Sequence, residues 1–135
     1  MATVNLTIGI QAVAGPQLNV ARPLEVQAYD KVEVVLAPGG ANAAETSIDI
    51  QPSGAGKLVF LALTSSVLGA EIVYKASDGA TDSDPVQLTT PQLYLGNSVS
   101  LLKVAPKVLK IKNTFPANDN TKKATIEVFV GRQAV

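Results

Sequence analysis

Three places in this 135-residue chain hold residue types whose spacing could do chemistry. The stretch SGAGKLVF, Ser53 to Phe60, ends its glycine-rich part in Gly56-Lys57, as phosphate-cradling loops do. Such a loop needs Gly-x-x-x-x-Gly-Lys-Ser/Thr between a strand and a helix, so that backbone N–H groups surround the phosphates and a hydroxyl reaches magnesium. Here Gln51 stands where the first glycine belongs and Leu58 where the hydroxyl belongs, and Leu58 to Leu63 is an apolar run with the character of a buried strand. The stretch is expected to be a turn entering that strand and to bind no nucleotide. The acidic loop Asp78 to Asp84, with Asp82 between them, offers carboxylates to a hard cation such as calcium. Its spacing fits no standard calcium loop, and aspartate, glycine and serine are ordinary turn residues, so a turn is expected there too.

The third place is the basic C-terminal quarter. From Met1 to Leu102 there are four basic and nine acidic residues, a net charge of −5; from Lys103 to Val135 there are seven basic and two acidic, a net charge of +5. The formal charge of zero thus conceals a basic segment on an acidic body. Lys110 and Lys112 stand two apart on a predicted strand and so share a face opposite Ile111. Lys122, Lys123 and Arg132 flank the following strand and extend the patch where those two strands pair. These five are the candidate protein–protein contacts, suited to docking on an acidic neighbour, including another copy of the chain.

The composition narrows the function classes. With no cysteine and no histidine, the chain has no disulfide, no thiolate or imidazole metal ligand and no histidine general base. Most triad and metallohydrolase chemistry is removed with them, and nothing singles out a carboxylate pair for glycosidase-type work. A non-enzymatic protein is expected, with no cofactor and no small-molecule substrate. Three Tyr, three Phe and no Trp are scattered one per element, as packing would place them and not as a stacking platform. Only Phe115 and Phe129 interleave the basic segment, so nucleic acid is not expected as a partner. The longest apolar run, Leu58 to Leu63, is far too short to span a membrane, and Met1 to Asn5 lacks the start of a signal peptide. No membrane partner is expected, and release into the cytoplasm is.

The elements that must position these residues read as strands. Val4, Leu6, Ile8 and Ile10 alternate with polar neighbours, and so do Ile126, Val128 and Val130; these are the cleanest period-two rows and are expected to face the core. Leu24 to Ala28 and Val32 to Leu36 read as a hairpin turning at Tyr29-Asp30. Further strands are expected at 47–51, 57–63, 70–76, 86–88 with 92–95, 107–112 and 124–130, with turn signals between them and one helical turn near 64–68. Ala37 to Ala44, APGGANAA, reads as a hairpin tip or a mobile contact arm. Many short strands with antiparallel alternation and little or no helix predict an all-β fold: one antiparallel β-sandwich over 1–135, jelly-roll-like or immunoglobulin-like.

Leu109-Lys110-Ile111-Lys112-Asn113-Thr114-Phe115-Pro116, followed by Ala124 to Arg132 (ATIEVFVGR), resembles the closing strand pair of capsid cement or decoration proteins of tailed bacteriophages. The resemblance covers residues 109–132 and implies a structural virion protein, assembled in the host cytoplasm, that binds between capsomers and stabilises the head. The partners implied are the major capsid protein and copies of the chain itself. The alternative is a β-sandwich adhesion or ligand-binding module of a larger surface or tail assembly.

Overall fold

Residues Ala124 to Gln133 show how the sequence builds the molecule. Ile126, Val128 and Val130 alternate with Thr125, Glu127 and Phe129, so the segment is most favourable as a strand with one fully apolar face. In the computed structural model, which describes residues 1–51 and 57–133, this strand is the last of ten. They are β1 (Ala2–Gln11), β2 (Gln17–Val26), β3 (Ala28–Leu36), β4 (Thr46–Asp49), β5 (Lys57–Ser65), β6 (Ile72–Ser77), β7 (Val86–Gln87), β8 (Gln92–Leu95), β9 (Val108–Asn113) and β10 (Ala124–Gln133). Three short 3-10 turns, Gly40–Asn42, Gly96–Leu102 and Asn120–Lys122, are the helical segments among the described residues.

All pairings are antiparallel, in two four-stranded sheets and one ribbon. Sheet one has the order β3-β10-β5-β8 and sheet two the order β4-β9-β6-β7; β1 and β2 pair only with each other. Counting the eight sandwich strands from β3 as the first, these orders are 1-8-3-6 and 2-7-4-5, the double Greek-key connectivity of a jelly roll. Of the two sandwich types the sequence suggests, the strand order therefore selects the jelly roll over the immunoglobulin arrangement.

The core lies between the sheets. Ile126, Val128, Val130, Leu61 and Leu63 meet Ile72, Tyr74, Leu109 and Ile111 from the other side, each no more than 2% exposed. Burying each large aliphatic side chain contributes about 1.5–3 kcal/mol, so this row dominates the stability of the fold. Polar pins fix the register of the layers. The Tyr74 and Tyr94 hydroxyls hydrogen-bond at 2.7 Å across the inter-sheet space. Buried Asn113 donates to the carbonyls of Leu36 and Lys122 at 3.1 and 2.7 Å and accepts from the Phe115 N–H at 3.1 Å.

Four expectations are corrected. The Val4, Leu6, Ile8 and Ile10 row does not enter the sandwich core, because β1 belongs to the ribbon; the first three are half-buried and Ile10 is 60% exposed. Tyr29-Asp30 is no turn: the chain runs through it within β3, whose partner is β10, while the preceding strand pairs with β1. Ala37 to Ala44 is neither a hairpin tip nor a free arm but the crossover from sheet one to sheet two, tied by the N–H groups of Gly39 and Gly40 to the carbonyls of Asn113 and Phe115 at 3.0 and 2.9 Å. Residues 64–68 hold no helical turn, since β5 runs on to Ser65 and the 3-10 turns form elsewhere.

Candidate functional site

Strand alternation turns Leu109, Ile111 and Asn113 of β9 into the sandwich and Lys110 and Lys112 out of it, so the two lysines share the exposed face of sheet two as their spacing predicts. The neighbouring β6 turns Ile72, Tyr74 and Ala76 inward and Val73 and Lys75 outward. The β6–β9 register sets Lys75 directly opposite Lys110 and Val73 opposite Lys112. Like charges directly opposite on a sheet face are unfavourable. Asp82 offsets the conflict: it is carried to this face by its bridge to Ser77, and both its carboxylate oxygens accept from the Lys110 ammonium, at 3.0 and 3.1 Å. The Lys110 hydrogen bond, aided by one from Ser77, holds the Asp82 carboxyl below the usual carboxylate range. Asp49 of β4 also stands exposed on this face, opposite Val108, so three lysines against two aspartates leave these strands one positive charge in excess. A groove of about 730 Å³ runs beside them, with Val73, Pro85, Val86, Gln87 and Thr89 along it and Lys75 and Lys112 at its margin.

The other candidate contacts do not join this face. The two strands that were expected to pair are β9 and β10, and they lie in opposite sheets, so the closing segment is a crossover and not a hairpin. Lys122 ends the 3-10 turn Asn120–Lys122, with its ammonium 5.1 Å from the centre of the Phe115 ring, a cation–π distance. Lys123 follows it, exposed, at the entrance to β10. Arg132, near the other end of β10, donates through Nη1 to the Ile50 carbonyl at 2.7 Å and through Nη2 to the Asp30 carboxylate, which ties the ends of the two sheets together. Lys75 is the residue that sequence reasoning missed. Its charge was counted with the acidic body, and only the non-local register of β6 on β9 brings it to the lysine face.

The acidic loop divides its carboxylates between tasks. Asp78 accepts from the N–H groups of Ala80 and Thr81 at 2.9 and 2.6 Å, a local turn cap that lowers its pKa, and Asp82 goes to Lys110. Among the described residues, no group of three or more His, Cys, Asp or Glu side chains is placed to hold a metal ion. The glycine-rich turn of SGAGKLVF, residues 52–56, lies outside the described residues; Lys57 opens β5 and is exposed. No helix among the described residues is long and apolar enough to cross a membrane. Compared with protein-family models, curated proteins and solved structures, the chain matches none of them.

Proposed function

We propose that this chain is a non-enzymatic structural protein of a tailed-phage virion, a cement protein that binds an assembled head between capsomers through the lysine face of sheet two. The observation that carries the reading is the convergence of Lys75, Lys110 and Lys112 on one exposed sheet face, where Asp82 ion-pairs with Lys110. Such a face suits an acidic, repetitive surface of major capsid protein, where many weak contacts add up over many copies. The jelly roll is an architecture used by viral capsid domains, a likeness of fold and not of site.

The test is co-sedimentation of the purified chain with heads, assembled without it, of the virus that encodes it. Exposed ion pairs contribute about 0–1 kcal/mol each, so the double change Lys110→Glu with Lys112→Glu should weaken binding about tenfold or more while leaving the melting temperature within a few degrees. Raising salt from about 0.05 to 0.5 M, which shortens the Debye length to a few ångström, should weaken wild-type binding as well. Binding indifferent to both changes would remove the lysine face from the reading, and no binding at low salt would remove the cement role. The groove beside β6 and β7, lined by Val73, Pro85 and Val86 together with polar Gln87 and Thr89, favours the second reading, an adhesion or ligand-binding module. Binding of a soluble glycan or peptide there, with none to heads, would select it.

A further inference from the structure

The ribbon has two unlike faces. Cross-strand partners point the same way, so the pairs Val4–Leu24, Ile8–Val20 and Ile10–Leu18 make one face apolar, and Thr3–Glu25 and Gly9–Asn19 make the other polar. Only the root of the apolar face is fully covered, and its middle is half-buried. Val26 is fully buried against Phe60 and Gly131 on the outer side of sheet one, whereas at the far end Ile10 is 60%, Leu18 56% and Val13 100% exposed. Between root and tip, Leu6 and Ile8 overhang Ala62, Leu93 and Phe129 of sheet one, leaving an open groove of about 350 Å³. A two-stranded ribbon is marginal on its own in water, and a contiguous exposed apolar surface marks an interaction site.

Charge identifies the occupant. The one cation on the apolar face is Arg22, opposite Leu6, exposed and with no ion pair among the described residues. On the exposed face of sheet one, by the groove, Lys31 lies 3.3 Å from the Glu127 carboxylate and 3.7 Å from that of Glu33, two carboxylates sharing one ammonium. A surface with one carboxylate in excess beside an apolar groove is thus present on this chain itself. We propose that the ribbon is an arm that clasps a second copy of this chain: its distal apolar face lies on the outer side of the neighbour's sheet one, with Ile10 and Leu18 at the groove and Arg22 beside Glu33 and Glu127. A reciprocal exchange about a two-fold axis makes each contact twice. The six pairs from Leu6–Arg22 to Gln11–Gln17, at about 3.3 Å each, form a distal face about 20 Å long and about 10 Å across, so two such faces and the two surfaces beneath them bury about 800 Å², the size of a weak and reversible contact. This surface lies on the sheet opposite the lysine face, so the two readings stand or fall separately.

The experiment is sedimentation velocity and light scattering on the full chain from about 1 to about 100 µM, the range in which such interfaces dissociate. The wild type is expected to associate reversibly. Ile10→Thr with Leu18→Thr, which keeps strand-forming residues in this cross-strand pair, should leave a monomer with unchanged circular dichroism and melting temperature, both side chains being more than half exposed. Arg22→Glu alone and Glu33→Arg alone should each weaken association about tenfold. An equimolar mixture of those two variants should recover part of it, because both contacts between positions 22 and 33 again join opposite charges, although in one of them the glutamate placed at position 22 also faces Glu127. A wild type that stays monomeric throughout, an oligomer untouched by the tip changes, or a mixture that fails to recover overturns the proposal. So does a monomer whose tip variant loses binding to heads, an outcome that would assign the ribbon to the shell.

Discussion

Gly131 is the residue through which the ribbon root reaches sheet one. A Cβ there would meet Phe60 Cδ1 at 2.7 Å and Val26 Cγ1 at 2.9 Å, distances that real side chains do not tolerate. The ring cannot easily yield, since it packs on Phe129 with centroids 5.2 Å apart, and Phe129 in turn stacks on Tyr29 at 6.0 Å. Gly131→Ala is therefore expected to destabilise the fold by about 1–3 kcal/mol through overpacking, a fall of several degrees in melting temperature. Adding Phe60→Leu should recover part of that loss, and equal melting of wild type and Gly131→Ala would show that the contact relaxes freely. At this scale the sequence is informative about direction and silent about neighbours. Alternation alone put Lys110 and Lys112 on one face, and it is correct. That Lys75 joins them, or that Gly131 rather than another glycine lies under a ring, depends on registers between strands far apart in the chain, which no local pattern encodes.

The ribbon is the element on which sequence and structure part. Its period-two pattern is as clean as that of β10, and the two were expected to share a core, yet β10 faces sheet two while the β1 row, half-buried, overhangs the outer side of sheet one. Alternation states that a strand has an apolar side; what covers that side is decided by topology, and the double Greek key closes with eight strands and leaves β1 and β2 over. Most strand positions were legible, because turn residues punctuate them; the failures fall at 17–23, where β2 starts seven residues before the expected strand, at 64–68, where no helical turn forms, and at Tyr29-Asp30 and 37–44, where a strand-like or glycine-rich stretch has a long-range partner. Local stability should follow the same division. The tip loop holds Ala14 at φ 55°, a left-handed conformation that costs a non-glycine residue about 1–2 kcal/mol, and no second layer covers the distal pairs. Under conditions where the chain is monomeric, amide exchange of bonded N–H groups between Leu6 and Leu18 is expected to proceed by local opening, at least about tenfold faster than that of β10. Equal protection of the two strands would mean that the ribbon opens only with the whole fold.

Across the whole molecule, ionisation ties stability to pH in a way that composition makes unusually simple. The chain has no histidine and no cysteine, the side chains that most often titrate between pH 5 and 9. Shifted groups lie at either end of that range. Asp78 is held low by the N–H groups of Thr81 and Ala80, Asp82 by Lys110, Asp119 by Thr121 and Glu127 by Lys31. A carboxyl whose folded pKa lies below its unfolded value contributes stability that is present above about pH 4 and is lost as pH falls through the folded value. Lys31 is raised, chiefly by Glu127, so its contribution is whole below the ordinary lysine value of 10.5 and is lost above it. These groups are exposed and their individual effects are small and screened by salt, but the four carboxylates act together and in the same direction. As they protonate, the eleven basic residues also lose their eleven acidic counterparts, and self-repulsion adds to the loss. The melting temperature is therefore expected to be nearly flat from about pH 5 to about pH 9 and to fall below about pH 4. Asp82→Asn with Glu127→Gln should lower the plateau and make the acid limb shallower, since two of the groups responsible no longer titrate. A melting profile with a step near pH 6.5, or an acid limb that the double variant leaves unchanged, would place the pH dependence outside these ion pairs and turn caps.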